Sequence, residues 1–264
     1  MRIATWNVNS IRSRIDRVEA WLARSDCDVL AIQETKATET QFPMLGLNAL
    51  GYEVAQIGLN QWNGVAILSR VGLEGVEVGF PDVPSFGDPM VTEARAIGAT
   101  CGGVRIWSLY VPNGRALGDP HLAYKLDWLE RLRIAAGGWL AKDPGSQIAL
   151  MGDWNIAPQD EDVWDMADFA ESTHVSPPER AAFQAMLDTG LTDVVRPHTP
   201  GPGVYTYWDY KQLSFPKRRG MRIDFVLGSP ALSSRVQGAS IDREERKGKG
   251  ASDHVPVIVD LRDA

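Results

Sequence analysis

Seven runs of β-branched and aliphatic residues, RIATWNV, DVLAIQ, GVAILS, VRIWSLYV, QIALMG, IDFVLG and VPVIVDL, recur from one end of the chain to the other. Several of them show little alternation. A strand with one wetted face alternates apolar with polar residues, whereas a strand covered on both faces reads as a continuous apolar run. Between the runs lie stretches with helical spacing: Ile11, Ile15, Val18 and Leu22 share one face, and Leu122, Leu126, Leu129 and Ala136 another. Buried sheets with interleaved helices predict a layered α/β sandwich, helices outside stacked sheets. The chain contains no Ser-rich or Pro-rich linker, no low-complexity run and no short repeat at fixed period, so residues 1–264 are expected to form one domain.

Charge is the feature that argues against a polyanionic partner, since the net charge is −7 and phosphate binding leaves a basic footprint. The distribution reverses that judgment. Seven acidic residues and no basic ones lie between Asp153 and Glu171, an amount equal to the whole net charge. Against them stand Lys211, Lys217, Arg218, Arg219 and Arg222 in an acid-free stretch, and Arg246, Lys247 and Lys249 in a glycine-spaced loop. Each cluster by itself also fits a solvated surface. The apolar runs are far shorter than the roughly 20 residues that span a bilayer. Two cysteines, Cys27 and Cys101, and a start without a signal-type segment point to a reducing, cytoplasmic setting.

Polar residues interrupt the ends of the strand-like runs. Asn7 and Asn9 follow the first, Glu34 the second, Asn113 the fourth, and Asp153 with Asn155 the fifth; Asp224 lies within IDFVLG, and Asp253 and His254 precede the last. Sites in α/β folds gather at strand ends, so one cleft would unite these groups. Taken singly, Glu34 and Asp253 read as surface charges, His254 as a structural hydrogen bonder and the asparagines as turn residues. Together they offer carboxylates, amides and one histidine, with no thiolate or evident serine nucleophile. Such hard oxygen donors suit Mg²⁺ or Mn²⁺, whereas zinc ordinarily recruits Cys or several His.

In order along the chain, WNVNSIRSR, QETK, YVPNG, GDWNIAP, RIDFVL and SDHVPV resemble the signature strings of the exonuclease III family, and THVSPPER at residues 173–180 is similar to its bacterial members. The resemblance runs from Arg2 to about Leu261. It implies a DNase I-like fold, a four-layered sandwich of two stacked mixed β-sheets flanked by helices. It further implies Glu34 as principal metal ligand, with Asn7, Asp153, Asn155 and Asp253 around the ion. Asp153 matches the residue that positions or deprotonates the attacking water, and Asn155 the amide that orients it. Asp224 and His254 match a pair touching the scissile phosphate, and Tyr110 and Asn113 match phosphate-binding residues. One position departs: Asn9 stands where vertebrate abasic endonucleases carry an aspartate, leaving one carboxylate fewer at the metal.

The activity implied is Mg²⁺-dependent hydrolysis of duplex DNA 5′ to abasic sites, with 3′ to 5′ exonuclease action and trimming of blocked 3′ ends; a monomer is the default expectation. Inositol phosphatases and sphingomyelinases of the same superfamily would keep the Glu, Asp, Asn and His set, and a metal-less relative could bind DNA ends without chemistry. DNA is favoured because Tyr207, Trp208, Met221 and Ile223 match the family's apolar pocket for an extruded, base-less deoxyribose. Lys211, Arg218, Arg219 and Arg222 lie between or beside the two halves of that pocket, where they would grip the backbone.

Overall fold

The structure, a computed structural model, describes residues 1–263; Ala264, the last residue of the expected domain, lies outside them. The strands are β1 (Arg2–Asn7), β2 (Val29–Gln33), β3 (Glu53–Ile57), β4 (Val65–Ser69), β5 (Glu74–Val78), β6 (Ala96–Cys101), β7 (Val104–Tyr110), β8 (Ile148–Asp153), β9 (Thr192–Asp193), β10 (Asp224–Gly228), β11 (Val236–Ile241) and β12 (Val257–Leu261). The helices are α1 (Ile11–Ser25), α2 (Met44–Ala49), α3 (Pro120–Lys142), α4 (Pro177–Leu187) and α5 (Pro230–Ser233). Two six-stranded sheets form, in the orders β11-β12-β1-β2-β4-β3 and β5-β6-β7-β8-β10-β9.

The same topology therefore occurs twice. The succession β1-α1-β2-α2-β3-β4 and the succession β7-α3-β8-α4-β9-β10 lay their strands out in equivalent orders, each around one parallel pair. The other pairings are antiparallel, so both sheets are mixed. The first residues past β1 and β2, and the last of β7 and β8, consequently meet at one edge of the stack. That edge carries the candidate site.

In the central strands successive residues face an apolar layer on one side or the other of their sheet, which is why the runs lack alternation. Ile3 packs between the sheets while Ala4 and Trp6 pack under α1; Ala149 and Met151 lie between the sheets while Ile148 and Leu150 lie under α3 and α4. The four layers expected from the sequence are thus present. Beneath the site the sheets are tied by a polar chain: Thr5 Oγ1 donates to Gln33 Oε1 at 3.1 Å, Gln33 Nε2 to Ser108 Oγ at 3.0 Å, and Ser108 Oγ to the Ile32 carbonyl at 2.9 Å. Fully paired, such a chain fixes sheet register without leaving a desolvated polar group. Gly152 (φ 152°) is required next to it, because a Cβ there would lie 1.9 Å from the Leu109 carbonyl oxygen.

On α3 the buried face differs from the expected stripe. Leu122 and Leu126 are only half-buried, and the face turned inward carries Tyr124, Lys125, Trp128, Leu129 and Leu132. The acidic segment is neutralised locally: Asp160 pairs with Arg180 at 2.7 Å, Glu161 with Arg196 at 2.9 Å, and Asp162 also with Arg196. No helix among the described residues is long and apolar enough to cross a membrane.

Candidate active site

Turns with left-handed backbone aim the strand-end side chains into the cleft. Asn9 (φ 46°), Glu34 (φ 52°), Lys36 (φ 49°), Asn155 (φ 51°) and His174 (φ 78°) all adopt a conformation that side chains ordinarily avoid. Such residues concentrate where a fold must present groups rather than pack them.

Glu34 from the end of β2 and Asp153 from the end of β8 are held by one amide. Asn7 Nδ2 donates to Glu34 Oε1 at 2.9 Å and to Asp153 Oδ2 at 3.0 Å. The other Asp153 oxygen accepts the Asn155 backbone N–H at 2.9 Å. Lys36 Nζ lies 2.8 Å from Glu34 Oε2 and donates to Asn9 Oδ1 at 2.5 Å. Burial alone would raise the Glu34 carboxyl, but Lys36 and the Asn7 amide bring it below the usual range. Burial pushes Asp153 up to about 7, with Asp224 and Glu34 adding to the rise and His254 opposing it. One carboxylate is thus fixed as an anion and the other poised to gain or lose a proton near neutrality.

His254 Nδ1 lies 2.9 Å from Asp224 Oδ2, and its Nε2 lies 3.7 Å from Asp153 Oδ2. Thr206 Oγ1 donates to the same Asp224 oxygen at 2.6 Å and accepts the Ile223 and Asp224 amides at 3.1 Å each. Burial disfavours the imidazolium, but the Asp224 and Asp153 carboxylates outweigh it and raise His254 to about 10. In metal-free protein the His254 ring is therefore expected to remain doubly protonated past neutrality and to titrate near 10 by NMR. Because that value exceeds the unfolded one of about 6.5, the stabilisation is complete below about pH 6.5. It disappears as pH rises through about 10. Asp224→Asn should return the titration toward about 6.5. A wild-type ring already neutral at pH 7 would remove the dyad.

The phosphate-facing groups lie alongside. Tyr110 closes β7, and burial, with Glu34 close by, pushes its phenol well up, so it persists as an O–H donor. Asn113 is exposed on the loop after β7, its Nδ2 donating to Asn155 Oδ1 at 3.2 Å. A ring nitrogen of His174, Nε2, lies 3.2 Å from that same oxygen. Burial keeps this histidine neutral, lowered to about 4.

Several expected roles are corrected by these contacts. Asn7 offers its NH₂ to two carboxylates while its Oδ1 takes the Asn9 N–H at 3.0 Å, so it clamps the acids rather than ligating through oxygen. Asn155 has both ends of its amide engaged, Nδ2 with the Val111 carbonyl at 2.9 Å and Oδ1 with Asn113 and His174. The Asp253 carboxylate takes Asn9 Nδ2 at 3.1 Å and stands outside the converging set. That set is Glu34, Asp153 and His254, one atom from each within 4.8 Å of the others. In metal-free protein His254 is held protonated, which leaves Glu34 and Asp153 as the oxygen donors of the set; their hard oxygens fit a Mg²⁺ or Mn²⁺ that keeps several waters.

The apolar wall is smaller than expected. Tyr207 opposes Met221, each backbone N–H donating to the other's carbonyl at 3.0 Å, and the Tyr207 ring lies 4.9 Å from that of His254. Tyr207, Met221 and Ile223 belong to one apolar cluster with Ala157, Val163 and Val175. Trp208, the next residue in an extended segment, points the opposite way. It is 1% exposed, packed with Tyr205 and Val255, and is not a wall of this pocket. Arg222 is also no DNA contact: it is 0% exposed, bonded to Asp193 at 2.8 Å and stacked over Phe225 at 4.4 Å. Lys211 and Arg218 are exposed, and Arg219 lies half-buried over the Trp164 ring at 4.6 Å.

Four contributors escaped the sequence reading. Lys36 and His174 lie inside the strings QETK and THVSPPER, which contained them without assigning a role, and Thr206 directly precedes the pocket residue Tyr207. The fourth is Lys125, whose signal was a charge on the apolar face of a helix, between Leu122 and Leu129.

Residues 4–254 match the model of the Endonuclease/Exonuclease/phosphatase family. The exodeoxyribonuclease III of Haemophilus influenzae is 28% identical over 275 residues, covering 99% of this chain and 100% of that protein. A Neisseria 3′ phosphatase, solved bound to product DNA hairpin, is 36% identical with a TM-score of 0.92 over 99% of each chain. An AP endonuclease from Archaeoglobus fulgidus is 33% identical with a TM-score of 0.91, again over 99% of each. Fold, strand-end constellation and full-length similarity agree: the chain belongs to the Endonuclease/Exonuclease/phosphatase family, in its exonuclease III branch.

Proposed function

We propose that the chain is a DNA-repair nuclease, a divalent-metal-dependent hydrolase of phosphate esters at abasic sites and blocked 3′ ends of duplex DNA. The observation that carries this reading is the meeting of Glu34, Asp153 and His254 in one cleft beside the Tyr207 and Met221 wall. Relatives named for exodeoxyribonuclease, AP endonuclease and 3′ phosphatase activity support it. So does exposed basic charge at Lys211 and Arg218, in the segment that joins Tyr207 to Met221.

The chemistry follows from the side chains. Asp153, with one oxygen pinned by the Asn155 N–H, accepts the proton of the attacking water on the other. His254, kept protonated by Asp224, places its Nε2–H toward the non-bridging oxygens that gain charge. Tyr110 and Asn113 donate to the same phosphate, and Asn155 and His174 hold Asn113 in place. Glu34 and Asp153 would hold Mg²⁺ or Mn²⁺, which when bound supplies Lewis-acid charge neutralisation to the phosphate and leaving oxygen. Tyr207, Met221 and Ile223 would admit a deoxyribose lacking its base, extruded at low cost because no pairing is lost. The enzyme is further proposed to act as a monomer in the cytoplasm, a setting in keeping with its buried, unpaired Cys27 and Cys101.

Glu34→Gln should raise the Mg²⁺ concentration for half-maximal activity by at least about tenfold while leaving duplex affinity nearly intact. An unchanged activation curve would remove Glu34 from the metal site. The substrate assignment is tested by specificity constants on matched duplexes that are intact, carry one tetrahydrofuran lesion, or end in a 3′-phosphate at a nick. A preference for the two damaged duplexes is expected. Equal rates on all three, or hydrolysis confined to inositol polyphosphates, would overturn it.

A further inference from the structure

Among the described residues, the mechanism leaves unused one hydrogen-bonded ion pair whose two side chains are both wholly buried. Lys125 from α3 and Glu179 from α4 bond to each other with side chains 0% exposed. A pair so desolvated is a poor stabiliser, because the cost of removing both charges from water rivals their attraction. Two apolar residues would pack α3 against α4 at less cost. What distinguishes this pair is where its remaining hydrogen bonds go.

Lys125 Nζ donates to the Asn155 carbonyl at 2.6 Å and the Asn113 carbonyl at 3.4 Å. Glu179 Oε1 accepts the His174 backbone N–H at 2.9 Å, and its Oε2 accepts Ser176 Oγ at 2.5 Å. All three ammonium donors are thereby used, and three separate loops are pinned from below. Those loops present Asn113, Asn155 and His174, whose side chains meet at Asn155 Oδ1. Two of the pinned residues, Asn155 and His174, carry the unfavourable left-handed backbone and need such external support. Gly114 completes the fit, since a Cβ there would approach Lys125 Cδ to 3.4 Å.

From this geometry we infer that Lys125 and Glu179 are positioning residues: the buried pair sets the Asn113, Asn155 and His174 loops as one phosphate-binding unit. The inference rests on the reading above that these loops face the phosphate. It does not depend on that phosphate belonging to DNA.

The test combines spectroscopy with a mutant cycle on the full chain. Lys125→Met/Glu179→Gln removes both charges together, so neither is left buried alone; Lys125→Gln/Glu179→Gln, which also removes both charges, is the fallback should that variant not fold. Protein labelled with ¹⁵N-asparagine is titrated with inorganic phosphate, following the side-chain amides of Asn113 and Asn155. In wild type both should respond; in the variant they should shift or broaden beforehand, and phosphate affinity should fall at least about tenfold. On the preferred DNA substrate kcat/KM should fall by about 10- to 100-fold, chiefly in kcat, with a cooperative melt retained. Asn113→Ala should then cost much less in the variant than in wild type, as expected when two changes act through one unit.

A purely structural pair predicts the opposite: unmoved amides, unaltered phosphate affinity, and an Asn113→Ala penalty equal in both backgrounds. Any of these in a folded variant overturns the inference, as does a wild type whose Asn113 and Asn155 ignore phosphate. A wild type that binds phosphate at these amides but hydrolyses no DNA overturns the nuclease reading instead, while the pair is still judged by its effect on phosphate binding.

Discussion

Replacing Asp153 by Asn is expected to lower kcat on a lesion duplex by at least about 10²-fold, with duplex affinity changed far less. The substitution preserves the shape of the site: an amide oxygen can still accept the Asn155 N–H now 2.9 Å from Asp153 Oδ1. What disappears is the group that accepts the water proton, together with one of the two carboxylates that would hold the metal. Burial places Asp153 near 7, so the wild-type acidic limb should report its ionisation and vanish in the variant. The lost charge also stands 3.7 Å from His254 Nε2 and helps keep that ring protonated, so the His254 titration should move down in the same variant. Single-turnover rates, duplex binding and the pH profile check the three parts separately. Near-wild-type turnover would make Asp153 a bystander.

Trp208→Ala should cost far more stability than Tyr207→Ala. The indole is 1% exposed, against Tyr205 at a 6.3 Å ring separation and Phe215 at 5.1 Å, and its removal leaves a large cavity. Such truncations cost about 3–5 kcal/mol. For a chain of this size that corresponds to a fall in Tm of roughly 6–20 °C. Below the melting range, lesion preference should survive. Tyr207→Ala should do the reverse, since its half-buried ring lies against His254 and forms part of the wall: a modest Tm change with lesion preference reduced. A Trp208 variant that melts like wild type yet loses lesion discrimination would restore that residue to the pocket.

These contrasting neighbours show what the sequence could carry. Seven strands, β1, β2, β4, β7, β8, β10 and β12, were legible as apolar runs, whereas β6, buried on both faces, was not, because Gly98 and Thr100 interrupt it. The others were not: β5 is exposed along its length and β11 half-exposed, so neither carries an apolar run, and β9 is only two residues long. The duplicated topology was invisible because strand order depends on pairing between distant segments, which no local pattern records. At the site, residue types at strand ends pointed to the right groups, since Glu34, Asp153, Asp224 and His254 do converge. Direction was not legible. Asn7 and Asn155 face their acids and neighbours, and Trp208 and Arg222 turn inward. A motif fixes which residues are present, but rotamer and burial decide which atoms they offer.

The central claim, metal-dependent hydrolysis of damaged DNA by Glu34, Asp153 and the Asp224–His254 pair, is most directly tested by cleavage of an end-labelled duplex. The duplex carries one tetrahydrofuran residue or a 3′-phosphate at a nick, and is incubated with Mg²⁺ or with EDTA. Incision 5′ to the lesion or release of phosphate is expected with Mg²⁺, abolished by EDTA and slowed at least about 10²-fold by Asp153→Asn. Cleavage that persists in EDTA, or at a near-wild-type rate in the Asp153 variant, would contradict the account, as would an intact duplex under every metal condition.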